Sequence, residues 1–562
     1  MELQTYKYNA TTVLAADPLV DIGYARYQGF TDGDVTKWYG VRFAAPPTGN
    51  NRFRAPQDPE PIAGIVNATK QGPICPPQQS GDWTLVGGST RYTVDEDCLF
   101  LSVTAPSGAG ARLRPVLFWI QGGGFGSNSN ANYDAKTLVG EGDIVVVQIN
   151  YRVGMYGFLQ SENVRENGDL NAGIHDMIKA LQWVKTNIEK FGGDPNRVVI
   201  DGISAGGSAA ALLLAANGGT LDLFHGAIVE SGGWVTMRPM DQGEEQYECL
   251  VKEKGCDTTA DSLACLRALN QSEVRSSNCW FNPHIDGELF TGSLLDMFTS
   301  GKVATVPTIM GACANEGTKY SAPEDTNSSE TAAAYFKNTD PSLSPASLDI
   351  LDDLYINQPG LVYPGKGSKF RQAANAIADV GTHCILRTLQ SSLSRLGAPT
   401  WTYRFALRDP ADETAGYGAW HGVNMYATWG AMNTDQNPPA SYQGIDAPNR
   451  PGMELTRAYW TAFVRELEPN GEGRAVWDKW DEETRGRLRI ENQGGVMERM
   501  SEAQSWRCEA IRGMSESLGE PKGEGVVTEL DAGAAKRALE AEDCGFDEGC
   551  RRVGRQVRRR GS

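Results

Sequence analysis

An α/β architecture, a mainly parallel sheet covered by helices on both faces, is the fold class that this sequence predicts. Two features predict it. Short apolar, β-branched runs recur along the 562 residues, and between them lie stretches whose apolar residues fall three and four apart. The runs end in small-residue turns, and in open parallel sheets ligand chemistry sits where such turns converge, at the carboxyl ends of the strands.

From about 114 to 150 the order reads strand, loop, helix, strand, with "PVLFWI" and "DIVVVQINY" bounded by Gly, Asp and Pro. Next, "NAGIHDMIKALQWVKTNIEKF" spaces Ile174, Met177, Ile178, Leu181, Val184 and Ile188 as an amphipathic helix does. The turn "GGDPNR" leads into "VVI", then into "DGISAGG", then into the apolar helix former "SAAALLLAAN". Two more strands with small-residue turns are expected in "GAIVESGGW" (226–234) and "VPTIMGACANEG" (306–317). The stretch from about 320 to 400, rich in Ser, Asp and Ala, reads as a helical insertion over the same sheet edge. No internal repeat is present. Length alone allows one large α/β domain or several smaller ones; residues 1–515 are read as a single domain, and 516–562, charged and poor in large apolar residues, as a disordered tail.

Composition narrows the function classes. Against 52 Lys and Arg stand 70 Asp and Glu, and a net charge of -18 repels phosphate backbones and anionic lipid, so nucleic acid is not an expected partner. No run approaches 18 uninterrupted apolar residues, so no integral membrane association is expected. The opening "MELQTYKYNATTVLAADP" shows no basic flank followed by an apolar run, hence no visible signal peptide. Eleven cysteines leave at least one unpaired within a monomer. Cys75 with Cys98, and Cys256 with Cys265, have spacings suited to local bridges; reduced, buried thiols are the alternative. Acceptor triplets at Asn9, Asn67, Asn270 and Asn327 fit a glycosylated exterior. A secreted, extracellular location is the expectation and an intracellular one its alternative.

Chemistry enters at Gly202-Ile203-Ser204-Ala205-Gly206. A serine held on a tight strand-to-helix turn points its hydroxyl into the cleft at the positive end of the helix, as a nucleophile requires. Acyl transfer also needs donors for a developing oxyanion, each worth roughly 3–4 kcal/mol. "FWIQGGGFGS" (118–127) places three glycines after an apolar strand, where their amides can approach a substrate closely. The base must be one of five histidines. His175, His225, His284 and His383 read as structural, whereas His421, in the glycine-flanked "YGAWHGVNM", comes late in the chain, as the order serine, acid, histidine demands. Between them lies Glu316 in "IMGACANEGTKY", after an apolar strand, where a carboxylate can hold the imidazole tautomer.

These segments resemble the type-B carboxylesterase family of the α/β-hydrolase fold, which includes cholinesterases and fungal lipases. The likeness runs through "WYGVRFAAPPTGNNRFRAP" (38–56), "EDCLFLSV" (96–103), the glycine triplet, "NYRVGMYGFL" (150–159), "ALQWVKTNIEKFGGDPNRVVIDGISAGG" (180–207), "VESGG" (229–233) and "SWRCEAI" (505–511). It covers about 40 to 515. The resemblance implies Ser204 as nucleophile, Glu316 as acid and His421 as base, with amides of Gly123, Gly124 and Ala205 as the oxyanion hole. It further implies the bridges Cys75–Cys98 and Cys256–Cys265, and a supporting role for Ser231. Gln121 stands where many such esterases have histidine, at a position that is not itself a donor. Asn424 replaces the usual glutamate three residues after the base. Ile203 replaces the glutamate that cholinesterases carry before the serine, which argues against choline esters. The Cys75–Cys98 loop corresponds to the lid of fungal lipases; here only Trp83, Leu85, Val86, Tyr92 and Val94 could give it an apolar face.

The expected activity is therefore carboxylic-ester hydrolysis through an acyl-enzyme, on short- or medium-chain or natural-product esters, with no metal or cofactor. The alternatives are a lipase acting on longer acyl glycerides and a non-catalytic binding or adhesion protein on the same fold.

Overall fold

The structure is a computed structural model, and it describes residues 18–78, 93–108, 112–127, 133–233, 235–275, 277–339, 343–434 and 437–518. Asn9, the lid residues Trp83, Leu85, Val86 and Tyr92, and the tail beyond 518 lie outside the described residues.

Near the start, β1 (Leu19–Asp21) and β2 (Arg26–Gln28) pair with the later β5 (Ile65–Asn67) in a small sheet. The main sheet holds β3 (Phe30–Asp32), β4 (Val35–Arg42), β6 (Phe100–Pro106), β7 (Arg114–Ile120), β8 (Val145–Ile149), β9 (Gly193–Ile203), β10 (Gly226–Glu230), β11 (Thr308–Cys313), β12 (Thr400–Phe405), β13 (Gly486–Glu491) and β14 (Gly494–Arg499). Across the sheet the order is β14-β13-β12-β11-β10-β9-β7-β8-β6-β4-β3. From β8 through β13 every neighbouring pair is parallel, and the antiparallel pairs lie toward the two edges.

Period-two alternation sends each strand's side chains to two separate cores. On β7, Val116, Phe118 and Ile120 join the core that holds helices Ala172–Asn187 and Ala205–Ala215. Leu117 and Trp119 join the opposite core, with helices Lys136–Gly142 and Arg450–Glu466. Because both faces are covered, the strands read as continuous apolar runs, and each buried Val, Leu or Ile contributes about 2 kcal/mol. Helix Ala205–Ala215 is buried along its whole length, since "AGGSAAALLLA" has no polar face and its small residues let it lie close on β9 and β10.

The expected insertion is helical: Ser329–Thr339, Pro345–Leu351, Phe370–Ala378 and Cys384–Arg395. It builds its own apolar cluster with the terminal helix Glu502–Leu518, which extends three residues past the boundary expected at 515. Both bridges implied by the resemblance are present, Cys75–Cys98 and Cys256–Cys265. Two more join distant segments, Cys249–Cys279 and Cys384–Cys508, and Cys313 is the free, buried cysteine among the described residues.

Candidate active site

The site grows from the ends of neighbouring parallel strands. β9 stops at Ile203, the helix begins at Ala205, and Ser204 joins them at φ 59°, ψ -125°. A non-glycine residue in that region stores on the order of 1–3 kcal/mol of strain, held here because the surroundings over-determine it. Its amide donates to the Glu230 carbonyl at 2.9 Å, and its carbonyl accepts the first helical bond from Ser208 at 2.8 Å. The flanking glycines are required by contact: a methyl group on Gly206 would stand 2.1 Å from the Ile120 carbonyl oxygen, and one on Gly202 would stand 2.4 Å from Gly206 itself.

β7 runs beside β9 with Ile120 opposite Gly202, so the glycine triplet emerges beside the serine. A methyl on Gly122 would lie 3.1 Å from Ser204 Cβ. Gly123 (φ 116°) and Gly124 (φ 61°) form an exposed turn closed by Gly126 and Ser127, whose amides donate to the Gly123 carbonyl at 3.0 and 2.9 Å. Gln121 is buried, and its carbonyl accepts from the Tyr151 hydroxyl at 3.1 Å.

Glu316 lies in the turn after β11, buried, with Oε1 accepting from Ser231 Oγ at 2.6 Å and from the Cys313 amide at 2.6 Å. Its Oε2 accepts from His421 Nδ1, which assigns the Nε2-acceptor tautomer to the neutral ring. Glu316 and His421, 105 positions apart in sequence, are brought together by Asn315: its amide donates to the Ala419 carbonyl, and its side-chain oxygen accepts from the Ala419 amide, both at 2.9 Å. Asn315, the residue before Glu316, is thus the pin that holds the histidine loop.

The electrostatics follow from burial and pairing. Burial of the Glu316 carboxyl opposes its ionisation, but the His421 ring and the Ser231 hydroxyl outweigh this and hold it below the ordinary glutamate value. For His421 burial opposes the charged form, and the Glu316 carboxylate overcomes it, so the net direction is upward. The imidazole remains 29% exposed, and Ser204 is half-buried, so both can meet a ligand. No hydrogen bond joins the Ser204 hydroxyl to the His421 ring among the described residues; such contacts tighten when substrate binds.

Asn424 does not leave a gap where glutamate was expected. Its Nδ2 donates to Glu230 Oε2 at 2.7 Å, and its Oδ1 accepts from Cys313 Sγ at 3.3 Å. Ile203 is buried in the same core as Trp119. Sequence reading missed Glu230 and Asp201, and it read His383 only as structural. His383 lies with Nδ1 3.0 Å from Asp379 and Nε2 2.9 Å from the Cys313 carbonyl, behind Glu316. Among the described residues no group of three His, Cys, Asp or Glu side chains gathers as a metal site.

A parallel sheet carrying a strained serine between strand and helix, with an acid and a histidine joined at the next strand ends, defines an α/β-hydrolase. The sequence profile of the carboxylesterase family matches residues 16–508, and the chain belongs to that family. It is 29% identical over 490 residues to the para-nitrobenzyl esterase of Bacillus subtilis, covering 84% of this chain and 95% of that protein. It is 30% identical over 531 residues to a secreted triacylglycerol lipase of Gibberella zeae, covering 83% and 85%. Among solved structures it is similar to Aspergillus niger EstA, with a TM-score of 0.82 and 35% identity over 90% of this chain and 99% of that one. The protein is a carboxylic-ester hydrolase.

Proposed function

We propose that Ser204, His421 and Glu316 carry the hydrolysis, with the amides of Gly123, Gly124 and Ala205 receiving the oxyanion. His421 Nε2 takes the hydroxyl proton as Ser204 attacks the ester carbonyl, and the tetrahedral oxyanion forms against the Ala205 amide at the N-terminus of helix Ala205–Ala215 and the amides of Gly123 and Gly124 in the loop after β7. The ring then protonates the leaving alcohol, and the acyl-enzyme forms. A water deprotonated by the same nitrogen releases the acid and restores the serine. Throughout, Glu316 stabilises the charge that the ring acquires, and Ser231 holds Glu316. The observation that carries this reading is the His421–Glu316 hydrogen bond set two strand ends from a serine strained at φ 59°.

The proposed substrates are uncharged short- or medium-chain esters, or esters of a natural product. Ile203 offers no negative charge for a cationic alcohol group. The working unit in this reading is one domain over 1–515, with 516–562 an appendage. Four disulfides support an extracellular location, as does the likeness to a lipase described as secreted. No helix among the described residues is long and apolar enough to cross a membrane. The test is a series of p-nitrophenyl esters of increasing chain length, assayed with wild type and Ser204→Ala. Short and medium esters are cleaved and the variant loses nearly all turnover; equal rates in the two proteins reject the assignment.

A further inference from the structure

Behind the serine turn lies a buried acid that touches both halves of the site. Glu230, the last residue of β10, accepts the Ser204 amide on its main-chain oxygen at 2.9 Å. Its side-chain Oε2 accepts from Asn424 Nδ2 at 2.7 Å, and Asn424 stands three residues after His421. The contacts continue into a closed ring. Asn424 Oδ1 accepts from Cys313 Sγ, the Cys313 amide donates to Glu316 Oε1, and the same oxygen accepts from Ser231, the residue bonded in the chain to Glu230.

A second acid shares this place. β9 and β10 are parallel with Asp201 opposite Ile228 and Ile203 opposite Glu230, so both carboxyls enter the core face that holds Ile203, Ile228 and Trp119. Asp201 and Glu230 are fully buried. The groups that face Glu230 are Asp201 from β9, Tyr403 from β12, Trp460 from helix Arg450–Glu466, and Asn424 from the histidine loop, with Cys313 and Glu316 beyond. None is a cation. Two carboxylates cannot both be ionised in such a site: burial raises both and Glu230 raises Asp201 further, so the pair keeps at least one proton at neutral pH.

We propose that the Glu230 carboxyl is a positioning group for the hydrolytic step. Through Asn424 it sets where His421 stands relative to Ser204, and Asp201 shares the proton that lets two acids occupy this buried site. The proposal rests on the reading of Ser204 and His421 as nucleophile and base. Neither Glu230 nor Asn424 touches substrate; each acts through the segment that it holds. A hydrogen bond to a charged or partly charged buried group is worth about 1.5–3 kcal/mol, so losing it changes the rate of a step that depends on base placement roughly 10- to 100-fold.

The experiment compares Asn424→Leu, Asn424→Glu, Glu230→Gln and the exchange Glu230→Gln/Asn424→Glu, using p-nitrophenyl butyrate and phosphonylation by a small p-nitrophenyl phosphonate. Asn424→Leu lowers kcat and the phosphonylation rate together, roughly 10- to 100-fold, while KM stays within about twofold. Asn424→Glu sets a further acid against Glu230 and falls at least as far. The exchange restores an amide-to-carboxylate bond with its direction reversed, and it regains most of the lost kcat. Thermal melts identify any variant that does not fold, and the comparison of Asn424→Glu with the exchange then decides. If kcat in Asn424→Leu and Glu230→Gln stays within about twofold of wild type, or if the exchange recovers nothing, the positioning role is overturned. Ser204→Ala separates the two readings. Full activity in that variant overturns the nucleophile assignment and this inference with it. Loss of activity there, with unchanged Asn424 variants, overturns only this inference.

Discussion

Ser231 Oγ donates to Glu316 Oε1 at 2.6 Å, from a residue whose backbone is itself left-handed at φ 50°. The amide of Ser231 donates to the Gly311 carbonyl at 2.8 Å, so the strained turn is built to present this hydroxyl to the acid. Ser and Ala carry the same Cβ, so Ser231→Ala keeps the backbone strain unchanged and removes only the hydroxyl. Glu316 retains the Cys313 amide as a donor to the same oxygen. Expected is a fall in kcat of about tenfold with KM nearly unchanged, from loss of one charge-assisted bond. Steady-state kinetics on a short ester check it.

Glu316 raises the affinity of His421 for a proton, and as the proposed base His421 works only when that proton is off. Activity therefore climbs with pH through a value above the ordinary histidine one. In Glu316→Gln the opposing charge is gone while burial of the ring remains, so the acid limb of kcat/KM shifts to lower pH. The amide also no longer enforces the tautomer, and kcat falls by about four orders of magnitude. A pH–rate profile of both proteins reads the two effects separately.

The bridges Cys384–Cys508 and Cys256–Cys265 join residues 124 and 9 apart in sequence. In the loop-closure account a cross-link constrains the unfolded chain more as the loop lengthens, and these two separations differ by about 2 kcal/mol. Cys384→Ala/Cys508→Ala should therefore lower the denaturation midpoint further than Cys256→Ala/Cys265→Ala. Urea unfolding followed by tryptophan fluorescence compares the pairs. The long bridge also sits inside the apolar cluster that docks helix Glu502–Leu518, so that helix should become protease-sensitive first.

Ser204, Glu316 and His421, the proposed triad, stand out in the sequence because each sits in a local pattern that states its own backbone need: glycine contacts around the serine, small-residue turns at the acid and the histidine. The strands were legible because burial on both faces leaves uninterrupted β-branched runs. What stayed hidden depends on register and on distant pairing. Asp201 faces Glu230 only because β9 and β10 align Ile203 with Glu230, and nothing within "VVIDG" states that alignment. Asn315 holds Ala419 across a hundred residues, and His383 reaches the Cys313 carbonyl from an inserted helical stretch. Cys249 and Cys279 lie in separate segments, so no short spacing marked them as partners.

Burial moves the Glu230 carboxyl up from 4.5 to about 7, against the Trp460, Asp201, Asn424 and Tyr403 groups that pull it the other way. The sign of the stability effect follows from proton counting. Below pH 4.5 both the folded and the unfolded chain hold the proton, and Glu230 imposes no penalty. Between 4.5 and about 7 the unfolded chain releases it while the folded chain keeps it, so stability falls as pH rises. Above about 7 both states have lost it, and the penalty levels off. Glu230→Gln has no proton to lose. Relative to wild type, its melting temperature should therefore gain steadily from pH 4.5 to 7 and hold that gain above 7. A parallel pair of melting curves across pH 4 to 8.5 would contradict the assignment of a titrating acid behind the serine turn.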